Sequence, residues 1–431
     1  MCETVTASPP PPETHGMRTY RELFRAPEFT SLFLVSTLQV AGQTVSGLAL
    51  GTLIYGATGS PLLSSLAMFG PSLAQLVGAT TLLSAADRLP PRATLGGLLL
   101  VFAAGTAVQA LPGLPVAVAF AVLLVQGVLA SLGGGVRYGL LNEVLSKDGY
   151  LLGRSVLNMS TGIVQICGYA LGGVLVALLE PRGTLLAGAA LYLAGAVAAR
   201  LGLGRRPPRA TGRVSVAATW RTNALLWSSR PRRLVYLALW VPNGLVVGCE
   251  SLYVPYAPHH AGLLFACGAL GMLAGDTAMG RFVPAHWRRR LPVPMLALLA
   301  APFLLFALRP PLPVAAGLVT VATVGFAASL LLQERLLELT PHELSGHALG
   351  LHSSGMLAMQ GVGAALAGAV AERTSPATAM TLVGAASLAV TAGLARGLLA
   401  PAGHPQPAAP PASTPAAPAP ARPPQEPEGR P

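Results

Sequence analysis

Twelve apolar runs, each long enough to cross a lipid bilayer, dominate this sequence and leave few folds open to it. A hydrocarbon core about 30 Å thick needs roughly 20 helical residues. The runs fall at 29–55, 61–83, 94–111, 114–136, 151–179, 183–203, 234–256, 261–283, 293–308, 312–332, 345–371 and 376–399. A segment in lipid must satisfy its own backbone hydrogen bonds, so such runs are read as helices. The longest interruption, 204–233, divides them six and six. The expected fold is an all-α membrane protein with twelve transmembrane helices in two pseudo-symmetric six-helix bundles, 29–203 and 234–400. Residues 1–28 form an N-terminal segment and 204–233 a basic central loop. The Pro/Ala-rich tail, 401–431, has too little apolar surface to bury a core.

Charge supplies the orientation. Only 10% of the 431 residues are charged, against about a quarter in soluble domains, which excludes a large soluble enzyme. The net charge of +12 is not a nucleic-acid footprint, because its basic residues lie on one side of the spans. With an even number of spans both termini share a side. That side holds Arg18, Arg21, Arg25, Arg92, Lys147, Arg154 and a cluster running from Arg205 to Arg233, whereas the opposite loops hold Arg182, Arg309 and Arg373. Lys and Arg stay on the cytoplasmic side during insertion, so both termini are expected to be cytoplasmic. Within the central loop Val216, Trp220, Ala224 and Trp227 recur at helical spacing. That pattern fits a helix lying on the membrane surface, with Trp at headgroup level, or a plain connector.

The two halves share a pattern. Gln165-Ile166-Cys167-Gly168 with Gly173 in the fifth run matches Gln360-Gly361-Val362-Gly363 with Gly368 in the eleventh. Duplicated halves are a transporter architecture, and glycines at such spacing let helix backbones approach closely. Ahead of the eleventh run, Thr340 and Glu343 have the form of a capping box.

These features resemble the major facilitator superfamily over roughly residues 18 to 400. Ala85-Ala86-Asp87-Arg88-Leu89-Pro90-Pro91-Arg92 is similar to the family's acid–base loop after the second span, and Asp276 with Arg281 is similar to its repeat after the eighth. The resemblance implies that Asp87, Arg88, Asp276 and Arg281 latch the cytoplasmic ends of the halves. Gly135-Val136-Arg137-Tyr138-Gly139-Leu140-Leu141-Asn142-Glu143 resembles a stretch of exporters that expel drugs, siderophores, macrolides and other hydrophobic products. Gly168-Tyr169-Ala170-Leu171-Gly172-Gly173 resembles the efflux-antiporter motif, with Tyr169 in place of its Pro, and Gln126-Gly127 matches the family's Gln-Gly pair.

Ionised groups at the centre of a span cost at least about 2.5–3.5 kcal/mol and are therefore functional candidates. Glu250, in the outer half of the seventh run, is the proton-coupling candidate, with a structural anchor as the alternative. Gln39 and Gln43, four apart and on one helix face, are substrate-cavity candidates with Gln165, Asn243 and Gln360; interhelical hydrogen bonding is their other reading. At the cytoplasmic rim Arg137 and Glu143 are set against Glu334, Arg335 and Glu338 as a gating network.

No Gly-rich phosphate loop, HExxH or CxxC pair is present, so no enzyme, cofactor or metal is expected. The function expected is a monomeric secondary active transporter of a bacterial cytoplasmic membrane, working by alternating access. Proton-coupled efflux of a small hydrophobic or amphiphilic compound is the leading reading. Uptake of a small metabolite and a non-transporting sensor or assembly protein stay open. The partners expected are the lipid bilayer, a small-molecule substrate and protons.

Overall fold

The structure, a computed structural model, describes residues 20–26, 28–86, 89–145, 147–207, 216–288, 290–341 and 344–399. Helices carry most of them, with no strand among the described residues. The first four spans are α1 (Phe29–Thr58), α2 (Pro61–Ala86), α3 (Pro91–Gln109) and α4 (Val116–Val144). The next helix, Lys147–Gly202, is too long for one crossing and breaks at Glu180, whose φ of 59° and ψ of 169° are not helical. Pro181 follows, and the residue before a proline is driven out of the α region. The break yields α5 (147–179) and α6 (181–202).

The second half contributes α7 (Arg230–Tyr256), α8 (Ala261–Arg281), α9 (Pro292–Leu308), α10 (Leu312–Glu338), α11 (Ser345–Arg373) and α12 (Pro376–Leu399). The expected twelve spans are therefore present. α9 has the shortest run, and its geometry compensates. Its first 9 residues are α-helical and its last 8 form a 3-10 helix. At rises of about 1.5 and 2.0 Å per residue those two parts together reach roughly 30 Å.

Large apolar side chains such as Leu178, Leu201 and Leu308 are exposed on the outside of the bundle, as lipid-facing surfaces require. Inside, the C-terminal half has one continuous apolar core, which includes Tyr236, Leu264, Phe303 and Leu332. The N-terminal half is split. Phe29, Leu95, Leu99 and Leu140 belong to one cluster, and Leu50, Ile54, Ala119 and Leu185 to another.

The halves meet where α2 packs on α11 and α5 on α8. Gly173 and Gly262 make the second crossing possible, because a Cβ on either would lie against the backbone of the other. Ser65 of α2 is hydrogen-bonded to Ser251 of α7, at 3.0 Å between hydroxyl oxygens. Glu372 Oε2, at the end of α11, accepts from Ser60 Oγ at 2.9 Å and from the Leu62 backbone N–H at 3.3 Å, at the start of α2. These contacts lie toward the end of the bundle away from the central loop.

The helix expected in the central loop forms at Val216–Ser228. Trp220 and Trp227 are both exposed, and Trp227 also stacks on Trp240 of α7, with ring centroids 5.5 Å apart and planes 11° apart. Leu226 is fully buried, and Asn223 Oδ1 lies 2.8 Å from His347 Nε2 of α11. Stacking and burial therefore draw this helix onto the C-terminal half. The Thr340 hydroxyl donates back to the Leu336 carbonyl, closing α10, and Glu343, the other member of the expected capping box, lies outside the described residues.

Candidate functional site

Between the two apolar clusters of the N-terminal half lies a partly open cleft with a cavity volume of about 90 Å³. Its walls follow from helical periodicity. Gln39, Gln43, Ser46, Gly47 and Leu50 form one face of α1, while Phe102, Thr106 and Gln109 do so on α3. Leu123, Gln126, Gly127 and Ala130 come from α4; α2 adds Ala67, Met68 and Pro71, and α6 adds Tyr192. Gly127 sets the width at its closest point, because a Cβ there would crowd the backbone of Pro71.

Hydrogen bonds orient the amides. Arg137 Nη2 donates to Gln39 Oε1 at 2.8 Å. Gln126 Nε2 donates to the Phe102 carbonyl at 3.0 Å and to Thr106 Oγ1 at 3.5 Å. Gln109 Nε2 donates to the Ala119 carbonyl at 3.2 Å. The Ser46 hydroxyl is buried with no partner among the described residues. Four amides and the hydroxyls of Ser46 and Thr106 thus line a mostly apolar cleft, and no charged side chain is in its lining.

Of the cavity candidates only Gln39 and Gln43 line this cleft. Asn243 and Gln360 come together elsewhere, Gln360 Nε2 donating to Asn243 Oδ1 at 3.4 Å where α7 crosses α11. That crossing is close because a Cβ on Gly363 would fall on the Gly244 carbonyl. Gln165 is exposed on α5 and does not line the cleft. Gln109, Thr106 and Ser46 were not singled out from the sequence. Their signal was a shared helix face with Phe102 on α3 or with Gln39 and Gln43 on α1.

Glu250 is partly exposed on α7, beside Ser251, which makes the contact to α2. Tyr169 of α5 lies within its electrostatic reach, and the Tyr169 ring stacks on Phe265 at 4.5 Å. No cation pairs with Glu250 among the described residues. Nearby, the Tyr253 hydroxyl is buried without a partner among the described residues.

The rim residues sit in pairs within each half. Arg206 donates from Nη1 to Glu143 at 3.2 Å and from Nη2 to Glu28 at 3.3 Å, tying together the ends of α1, α4 and α6. Arg288 lies 3.7 Å from Glu334, and Arg335 donates to the Leu398 carbonyl. Arg137, expected at the rim, instead reaches Gln39 inside the first half. Asp276 and Arg281 end α8, while Asp87 and Arg88 lie outside the described residues.

The sequence profile of the Major Facilitator Superfamily matches residues 32–333. The chain belongs to the major facilitator superfamily. It is accordingly a multi-pass membrane transporter and not an enzyme. Solved structures of this superfamily's fold superpose over most of it. A POT family transporter in complex with 5-aminolevulinic acid aligns with a TM-score of 0.69 at 11% identity, covering 85% of this chain and 95% of that one. The nucleoside transporter NupG aligns at 0.65 with 15% identity, over 86% and 98%. A bacterial homolog of the human lysosomal transporter Spinster, in an inward-facing and unoccupied conformation, aligns at 0.64 with 13% identity, over 89% and 97%. At such identities the likeness is one of fold. No curated protein matches this superfamily member in sequence.

Proposed function

We propose that this transporter works by alternating access and exports a small hydrophobic or amphiphilic compound across a bacterial cytoplasmic membrane, driven by protons that load and leave Glu250. The arginine-rich central loop faces the cytoplasm by the positive-inside rule. The contacts among Ser60, Glu372, Ser65 and Ser251 then lie toward the outer side and hold the halves together there. Asp87, Arg88, Asp276 and Arg281, with Glu143, Glu334 and Arg335, regulate closure of the inner end. Gln165, Asn243 and Gln360 flank the route, and Gln39 and Gln43 contact the cargo.

The observation that carries the coupling is Glu250 itself: a carboxyl group with no cationic partner among the described residues, next to an inter-half contact. A fixed ion pair would hold the charge constant, whereas an unpaired carboxyl group at a moving contact changes surroundings as the halves rock. The test is purified protein in proteoliposomes with an imposed pH gradient, screened with dyes, antibiotics and metabolites. Glu250→Gln is expected to abolish gradient-driven movement while leaving gradient-independent exchange. Transport by Glu250→Gln with its full pH dependence rejects Glu250 as the coupling acid. Movement of no compound under either gradient favours the non-transporting reading.

A further inference from the structure

Three of the four amides of the N-terminal cleft, those of Gln39, Gln109 and Gln126, are not interchangeable polar groups; each is held at one end by a hydrogen bond within the protein. Gln126 and Gln109 spend their nitrogens on the Phe102 and Ala119 carbonyls. Turning either amide over would set its oxygen against a carbonyl oxygen. Their Oε1 atoms, for which no donor is present among the described residues, therefore remain as fixed acceptors. Gln39 is wired oppositely. Its oxygen is taken by Arg137, which leaves Nε2 as a donor.

The three amides lie at different depths. On α4, Gln39 Nε2 lies beside Gly133, Gln126 is seven positions earlier, and the Ala119 carbonyl bound by Gln109 lies seven positions before that. At about 1.5 Å per residue, the acceptor of Gln126 lies roughly 10 Å from the Gln39 donor, and that of Gln109 roughly 10 Å further. Leu50, Met68, Phe102, Leu123 and Tyr192 supply the wall between and around them.

We infer that this cleft is a recognition site for an elongated, uncharged compound with an apolar body. It reads a hydrogen-bond acceptor at the Gln39 end and an O–H or N–H donor at the Gln126–Gln109 end. A carboxylate or phosphate at the second end is rejected, because fixed carbonyl oxygens would face it with no cation in the lining. The assignment names the substrate class of the transporter proposed above and rests on that reading.

The probe is a biphenyl carrying a phenol at one end and a methyl ketone at the other, compared with its methyl ether and with the hydroxy-biphenyl carboxylate. Equilibrium binding to the full chain in lipid nanodiscs, without any gradient, is measured by calorimetry. The phenol is expected to bind about tenfold more tightly than the ether, the worth of one well-made hydrogen bond, and the carboxylate more weakly than both. Gln126→Met keeps the side-chain length and removes the acceptor, so it should erase the phenol's advantage. Gln333→Met, on α10 and outside the cleft, should keep it and controls for folding. Equal binding of phenol and ether by the wild type, absence of binding by both, or a phenol preference that survives Gln126→Met would overturn the assignment. The transport reading fails separately. Selective binding without movement under any gradient sinks transport and leaves the cleft intact, whereas gradient-driven transport by a wild type with no phenol preference sinks the cleft alone.

Discussion

Glu372 offers the most direct handle on how the halves separate. Its carboxylate crosses from α11 to the first turn of α2, accepting from Ser60 Oγ and the Leu62 backbone N–H, where α2 presents the positive end of its dipole. Both bonds are solvent-exposed, which holds each to about 0.5–1 kcal/mol; a negative charge at a helix N-terminus adds about 0.3–1 kcal/mol. The sum is about 2 kcal/mol, present only while this end is closed. Removing it should shift the closed-to-open equilibrium roughly thirtyfold. Glu372→Ala should show the whole shift, and Glu372→Gln, which keeps an acceptor but loses the charge, a smaller one. The measurement is pulsed electron paramagnetic resonance between labels at Thr58→Cys and Thr374→Cys, both exposed, after replacement of the four native cysteines. A longer-distance population should grow in the order wild type, Glu372→Gln, Glu372→Ala. Glu180→Ala, which removes another exposed acid, should leave it unchanged. Superimposable distributions for wild type and Glu372→Ala would refute the latch.

Two further outcomes concern packing and charge. Gly363→Ala should lower the thermal stability of the detergent-solubilised protein by about 1–3 kcal/mol, because its Cβ meets the Gly244 carbonyl. Gly350→Ala, on the same helix with open space around it, should be neutral or gain about 0.4–1 kcal/mol; equal melting of the two variants contradicts the close crossing. Arg206→Ala leaves Glu28 and Glu143 without that partner and should cost about 1–2 kcal/mol. Adding Glu28→Gln should recover part of that loss, and a deeper loss in the double variant argues against the bridge.

The spans were legible because lipid imposes one rule on every residue of a crossing helix. Even the ninth was found from its apolar run, although its 3-10 half was not foreseen. The glycine repeat was informative for a similar reason: Gly173 and Gly368 are needed where a neighbouring backbone comes close, on Gly262 and on Leu62. Polar partners were harder to read. Arg137 sits near one end of its span in sequence, which suggested the rim, but a long guanidinium side chain reaches back to Gln39. Trp227 had the periodicity of a membrane-surface residue, and only the tertiary arrangement placed Trp240 beneath it. Gln109 was not singled out, since no local pattern reports that it faces Ala119 of the next helix.

The internal duplication has not produced equivalent interiors, and the difference can be traced to particular pairs. In the first half Gly168 of α5 lies against the side chain of Thr44 on α1, so side-chain thickness separates those backbones. At the corresponding crossing in the second half Gly363 meets Gly244, glycine on glycine, and the helices close directly on each other. The same contrast recurs in the cores. The second half is filled continuously from Tyr236 to Phe303, whereas the first is interrupted between Leu99 and Leu50 by the cleft. Four glutamines with an unfilled cavity between them cost stability that an apolar filling would recover, and unfilled volume is costly in any core. The second half shows that this architecture can be filled. That the first half stays open and lined with oriented amides is what selection for a ligand, rather than for stability, would leave behind.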